Sequence, residues 1–117
     1  MTRIERLESG PRMSQAVIHN GVVYLAGQVA ADAQGAPVKE QTQSILQRID
    51  KLLAAAGTDK TKLLSATIWL ADMGTFGDMN SVWDKWVAEG ATPARATVEA
   101  KLASPVYTVE IAVIAAI

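Results

Sequence analysis

Cysteine is absent from this sequence of 117 residues, and histidine occurs only once, as His19. Without cysteine the chain has no disulfide bond, no thiolate metal ligand and no cysteine nucleophile. A single histidine also excludes a metal site built from several histidines of one chain, so no metal site is expected. His19 directly precedes Asn20-Gly21, a pair typical of turns, and we expect it to be exposed rather than catalytic.

The chain also lacks an excess of charge of either sign, since it has 11 lysines and arginines and 12 aspartates and glutamates. A net charge of −1 gives no electrostatic footprint for nucleic acid or a membrane surface. No apolar run is long enough to span a membrane, and the first residues lack the apolar core of a signal peptide. We therefore expect a cytoplasmic protein.

The composition that is present is that of a folded domain, since half of the residues are hydrophobic and one fifth are charged. The length fits one domain spanning residues 1–117. The sequence contains neither a glycine-rich phosphate loop nor a Gly-x-Ser-x-Gly nucleophile elbow. Functions that depend on those two motifs are therefore excluded.

The first half of the chain predicts a hairpin followed by a helix. Apolar segments at 16–19 and 22–26 flank Asn20-Gly21, and both turn residues tolerate the positive φ of a type I′ turn. An edge strand is predicted before them, over residues 3–8. From Val38 the apolar residues recur at three- and four-residue spacing, which predicts a helix ended by Gly57.

The rest of the chain is predicted from periodicity and composition. We expect a strand over 63–70, a helix over 75–88, and strands over 94–100 and 106–116. The order β-β-β-α-β-α-β-β is that of an α+β protein with helices on one face of a mixed sheet. The last strand is apolar on both sets of alternate residues, so its outer face needs a cover, and self-association supplies one.

Arg95 is the strongest candidate for ligand binding. It enters a predicted strand between alanines, which leave room around its side chain. The planar fork of donors on a guanidinium suits bidentate capture of a carboxylate. Because side chains alternate along a strand, Arg95, Thr97 and Glu99 are expected to share one face.

Glu110 is a lone acid inside an apolar strand, where an unpaired carboxylate is costly. Two interpretations stay open at this point. In the first, Glu110 moves a proton or orients a water molecule during catalysis. In the second, it forms a structural ion pair with Arg95 or with a neighbouring chain.

Short motifs lie along the whole chain in a characteristic order. They are Ser14-Gln15-Ala16, Leu25-Ala26-Gly27-Gln28-Val29, Gln41-Thr42, Trp69-Leu70-Ala71-Asp72-Met73, Met79-Asn80, Pro93-Ala94-Arg95-Ala96-Thr97-Val98-Glu99 and Val109-Glu110-Ile111. In this order and at these separations they resemble the reactive-intermediate (imine/enamine) deaminase family of RidA/YjgF type. The resemblance covers nearly the whole chain.

The resemblance implies a chorismate-mutase-like fold that assembles as a homotrimer with ligand clefts between subunits. Family members hydrolyse enamines and imines, such as 2-aminoacrylate and 2-iminopropanoate, to 2-keto acids and ammonia without a cofactor. By correspondence, Arg95 holds the substrate carboxylate, and the backbone around Gly27 and Thr97 lines the cleft. Glu110 supports the attacking water or Arg95, and Asn80 lies nearby.

Two positions depart from the family pattern. Arg12-Met13 follows Gly10-Pro11 where family members usually carry a tyrosine, and Ala26 replaces a common serine. Both changes remove polar contacts to a ligand but keep the carboxylate clamp. The alternative to a deaminase is therefore a non-catalytic trimer that binds small carboxylates or protein partners. A ribonuclease, also reported in this family, fits poorly because the chain is slightly acidic and has no histidine pair.

Overall fold

The computed structural model describes residues 3–117, which form a six-stranded sheet and two α-helices. The strands are β1 (Glu5–Ser9), β2 (Ser14–His19), β3 (Val22–Leu25), β4 (Leu63–Leu70), β5 (Ala94–Glu99) and β6 (Val109–Ala116). The helices are α1 (Val38–Ala55) and α2 (Phe76–Trp86), with short 3-10 turns at Lys60–Lys62 and Met73–Thr75. The predicted order of strands and helices is confirmed.

The sheet has the strand order β1-β2-β3-β6-β4-β5, so the C-terminal strand lies near its centre. Only β4 and β5 run parallel, and every other neighbouring pair is antiparallel. A parallel pair needs a crossover connection, and α2 supplies it between β4 and β5. The prediction of a mixed sheet is therefore confirmed.

Two turns have the backbone geometry that the sequence predicts. Asn20 and Gly21 join β2 to β3 with φ of 52° and 74°, which is the pair of positive values that a type I′ turn requires. Gly57 follows α1 with φ of 85°, and its N–H donates to the carbonyl of Ala54 over 3.0 Å. Both turns therefore use the left-handed conformation that asparagine and glycine tolerate.

The helices cover one side of the sheet, which we call the helix face. Along β6, Val109, Ile111, Val113 and Ala115 are buried on this side, whereas the intervening residues are half-buried. We call the other side the open face; on the central strands it carries Tyr24, Thr67, Trp69, Glu110 and Ile114. The last strand is thus apolar on both sides, as predicted, although helices cover only one of them.

A buried glutamine decides where β6 begins. The Nε2 group of Gln41 donates to the carbonyls of Ala36 (2.9 Å) and Val106 (2.8 Å), and its Oε1 accepts from the N–H of Thr108 (2.9 Å). These bonds occupy backbone groups that a ladder with β4 would otherwise use. The strand therefore begins at Val109, and the predicted start at Val106 is wrong.

The second helix is shorter than the predicted range of 75–88. The carboxylate of Asp72 accepts from the N–H of Gly74 over 2.8 Å and caps a 3-10 turn before the helix. Val87 is extended, with φ of −61° and ψ of 140°, so α2 ends at Trp86. No helix within the described residues 3–117 is long and apolar enough to cross a membrane.

Candidate functional site

Arg95 lies on the edge strand β5 and points to the helix face. It is aligned with Ala66 of β4, whose small side chain is buried beneath the helices. Paired residues on neighbouring strands point to the same side of a sheet. The methyl group of Ala66 therefore leaves space for the guanidinium, which is partly buried against α2.

Three side chains from one face of α2 surround this guanidinium. Asn80 Oδ1 accepts a hydrogen bond from Arg95 Nη1 over 2.8 Å. The guanidinium carbon lies 5.3 Å from the ring centroid of Trp83 and 5.8 Å from that of Phe76, both within cation–π range. Residues 76, 80 and 83 share one helix face because they are four and three positions apart. The orientation of the Arg95 side chain is therefore fixed by α2.

The guanidinium keeps donors for a ligand. A guanidinium has five N–H donors, and the hydrogen bond to Asn80 uses one of them. The ion pairs formed among residues 3–117 are Arg3–Glu5 and Arg48–Glu8, so no carboxylate of this part of the chain neutralises Arg95. An oriented and unneutralised guanidinium can take up a carboxylate ligand.

Thr97 follows Arg95 on the same face of β5. Its Oγ1 atom is buried and has no hydrogen-bond partner within residues 3–117. Buried hydroxyls in proteins normally have a partner, so Thr97 Oγ1 is free to bond a water molecule or a ligand. Glu99, the third residue on this face, instead accepts from the N–H of Met73 over 2.9 Å.

Glu110 lies on the open face, directly against Gly27. A Cβ atom at position 27 would come within 2.1 Å of Glu110 Oε2, so glycine allows the carboxylate to take this position and a larger residue would displace it. Glu110 is partly buried, and this burial raises the pKa of its carboxyl above the ordinary value. A carboxyl with a raised pKa is suited to giving and taking protons closer to neutral pH.

Two glutamines fix the Gly27 segment. Gln28 exchanges backbone hydrogen bonds with Ile111, at 2.8 and 3.1 Å. Its buried side-chain amide donates to Gln15 Oε1 (2.9 Å) and to the carbonyl of Ala26 (3.0 Å). This network holds the backbone of Gly27 beside Glu110.

The predicted site residues thus form two groups, which lie on opposite faces of the sheet. Arg95 is aligned with Ala66 and Glu110 with Trp69, and both of these partners lie on β4. Residues three apart on a strand point to opposite faces. Arg95, Thr97 and Asn80 therefore lie on the helix face, and Glu110 and Gly27 on the open face. The interpretation of Glu110 as an ion-pair partner of Arg95 within one chain is therefore wrong, because the sheet lies between them.

The sequence did not predict that the rings of Phe76 and Trp83 contact Arg95. Phe76 and Trp83 fit the apolar stripe of a helix, and that pattern assigns them to the core. The sequence signal for this contact was Asn80, a polar residue between them at the same helical spacing.

His19 is partly buried at the end of β2 and not exposed as predicted. Within residues 3–117 no group of three histidines, aspartates or glutamates could hold a metal ion.

The fold and the two residue groups define a small α+β protein with a partly buried, oriented arginine on the edge strand β5. A family model described as Endoribonuclease L-PSP matches residues 3–117. A RutC family protein of Haemophilus ducreyi is 46% identical over 114 residues, which cover 97% of both chains. The chain therefore belongs to the L-PSP endoribonuclease family of RutC, YjgF and RidA proteins.

Two further comparisons concern the fold of one relative and the named activity of another. The crystal structure of a YjgF family member from Neisseria meningitidis has a TM-score of 0.94 and 46% identity, covering 97% of this chain and 94% of that one. The 2-iminobutanoate/2-iminopropanoate deaminase of Rattus norvegicus is 34% identical over 88 residues, or 71% of this chain and 64% of the relative. The predicted α+β fold is thus confirmed.

Proposed function

We propose that this protein hydrolyses imines of 2-amino acids, and the enamines in equilibrium with them, to 2-keto acids and ammonia. The observation that carries the proposal is the Arg95 guanidinium, which Asn80 and Trp83 orient while donors remain for a carboxylate. A deaminase of this specificity is named among the relatives, which supports the reaction class. No cofactor is required, because a protonated imine is already electrophilic.

The proposed site is shared between copies of the chain. A ligand held by Arg95 cannot reach Glu110 of the same chain, since the sheet separates the two side chains. It can reach Glu110 of another copy that presents its open face to the β5 edge. An interface that joins two different surfaces forms a ring when the rotation between copies closes, and the family resemblance implies a ring of three. Such a ring also covers the apolar open face.

The reaction consumes one water molecule and needs three proton transfers. Water adds to the carbon of the protonated imine while Glu110 accepts a proton from the water, and the C=N electron pair moves to the nitrogen to give a neutral amine. Glu110 then returns this proton to the amine nitrogen. The C–N bond breaks as the C=O bond forms, ammonia leaves, and the hydroxyl proton passes to the Glu110 carboxylate, which releases it to ammonia or solvent. The raised pKa of Glu110 suits these transfers.

Arg95 contributes orientation. Two parallel N–H···O bonds hold the substrate carboxylate in one geometry, so the neighbouring imine carbon faces the water and the carboxyl. Holding reactants in position is a large part of catalysis when the chemistry itself is easy. Gly27 allows Glu110 to lie close to the backbone, where the attacking water can reach it.

A non-catalytic trimer that binds small carboxylates is the second candidate. One observation favours it: exposed Met13 lines the same groove as Gly27 and Gln28, whereas the family resemblance implies a tyrosine hydroxyl at this point. A thioether is only a weak hydrogen-bond acceptor. Binding through Arg95 would persist in such a protein, whereas activation of the water would fail.

A coupled assay distinguishes the two candidates. An amino-acid oxidase generates imino acids in situ, and the rate of imine loss is followed with wild type, Arg95→Ala and Arg3→Ala. Arg3 is an exposed arginine and serves as the matched control. Acceleration by wild type and Arg3→Ala, but not by Arg95→Ala, supports the deaminase. If no imine of a broad panel is accelerated while a 2-keto acid still binds in an Arg95-dependent manner, the binding protein is favoured.

A further inference from the structure

A second candidate binding site lies between the two helices, and neither Arg95 nor Glu110 lines it. Here α1 and α2 enclose a groove of about 340 Å³, which falls within the range of small-molecule pockets. Its polar and aromatic lining consists of Lys39, Gln43, Gln47, Lys60, Ser81, Lys85 and Trp86. None of the residues assigned to the carboxylate site contributes to this lining.

The groove concentrates positive charge in a chain whose net charge is −1. Three lysines line it and no carboxylate does. The ion pairs among residues 3–117, Arg3–Glu5 and Arg48–Glu8, include none of these lysines. Three unneutralised ammonium groups around one cavity complement a compact anion such as a phosphate.

The groove also has a rigid aromatic wall. The indole N–H of Trp86 donates to Asp50 Oδ2 over 3.0 Å, which fixes the ring from the side of α1. Lys60 Nζ lies 5.2 Å from the centroid of the same ring, so this ammonium is held in place by a cation–π contact. Leu46 and Val82 supply the remaining apolar lining. The site is thus suited to a planar apolar group beside an anion.

We propose that this groove binds a small aromatic phosphate monoester. The lysines contact the phosphate, and the ring of the ligand packs against Trp86 and Val82. The proposal is independent of imine hydrolysis, because neither Arg95 nor Glu110 lines this groove and the ligand is not the proposed substrate. A phosphate is favoured over a monocarboxylate because three cations face the cavity.

Phenyl phosphate is the probe, and the indole N–H resonances in a two-dimensional ¹H–¹⁵N NMR spectrum are the readout. The chain has three tryptophans, and Trp86→Phe assigns the resonance of the groove. We expect a saturable shift of that resonance, with weaker binding of inorganic phosphate and of phenol. Lys39→Gln and Lys85→Gln should each raise the Kd about twofold to fivefold, as expected for exposed charge pairs.

Lys62→Gln is the matched control, because Lys62 is exposed on the same 3-10 turn as Lys60 but does not line the groove. It should leave the Kd unchanged. Added salt should weaken binding, since it screens exposed charges. The proposal is overturned if the Trp86 resonance does not move, or if Lys39→Gln and Lys85→Gln bind as wild type does.

Discussion

Arg95 and Glu110 lie on opposite faces of the sheet, although their strands, β5 and β6, are both hydrogen-bonded to β4. Their alignment with Ala66 and Trp69 places them on different sides of one continuous layer. Neither residue can assist the other within one chain. If both serve one reaction, the protein needs a second copy of the chain to complete its site.

Asn80→Asp tests whether Arg95 is the carboxylate clamp. The substitution places a carboxylate at the atom that now accepts from Arg95 Nη1 over 2.8 Å, where it forms an ion pair and competes with the ligand. We expect KM to rise about tenfold, on the scale of a charge-assisted hydrogen bond, with a smaller change in kcat. Steady-state kinetics measure both constants. An unchanged KM would show that the ligand carboxylate binds elsewhere.

Gly27→Ala tests the close approach of Gly27 and Glu110. The new methyl group would fall 2.1 Å from Glu110 Oε2, so the flexible end of the glutamate must move away. We expect imine hydrolysis to fall about 100-fold, because small displacements of reacting groups are costly, while the protein remains folded. Activity and the midpoint of urea denaturation are compared with those of wild type.

Gly77→Ala is the control for that experiment. Gly77 lies in α2, and a Cβ atom there would meet nothing within 4 Å. This variant should keep full activity and gain about 0.5–1 kcal/mol in its free energy of unfolding from helix propensity. Full activity of Gly27→Ala would mean that the position of Glu110 does not matter for the reaction.

The sequence predicts more of the fold than of the candidate site. Element order followed from local periodicity, and the Asn20-Gly21 hairpin from residues adjacent in sequence. The separation of Arg95 from Glu110 depends on the register of β4 with both of its neighbours, which no local pattern contains. Helical periodicity places Trp83 on the apolar side of α2, but it does not show that the indole ring contacts Arg95.

The free energy of unfolding should depend on pH through Glu110. Burial raises the pKa of this carboxyl in the folded state, so the folded protein holds the proton more tightly than the unfolded chain. This contribution is fully present below the ordinary pKa of 4.5 and is lost as pH rises through the higher folded value. Glu110→Gln should therefore become more stable relative to wild type as pH rises across that window. Urea denaturation at a series of pH values measures this, and a pH-independent difference would contradict it.

Gln41→Leu tests the buried amide that sets the start of β6. The variant leaves the carbonyl of Ala36 and the N–H of Thr108 without the bonds they now make to Gln41. We expect the free energy of unfolding to fall by about 2–4 kcal/mol, since each buried unpaired group costs about 1–3 kcal/mol. Gln43→Leu, at an exposed position of the same helix, is the control and should change it by less than about 0.5 kcal/mol. Equal stabilities of the two variants would refute this role for Gln41.

The most direct test of the shared site is complementation between two inactive variants. Arg95→Ala and Glu110→Gln chains are unfolded, mixed in equal amounts and refolded together. A working site then needs Arg95 from one variant and Glu110 from the other, each with a chance of one half, so about a quarter of wild-type activity should return. Wild type refolded alone and the variants refolded separately are the controls. If the co-refolded mixture is no more active than the separate variants while refolded wild type is active, the site is not shared between chains.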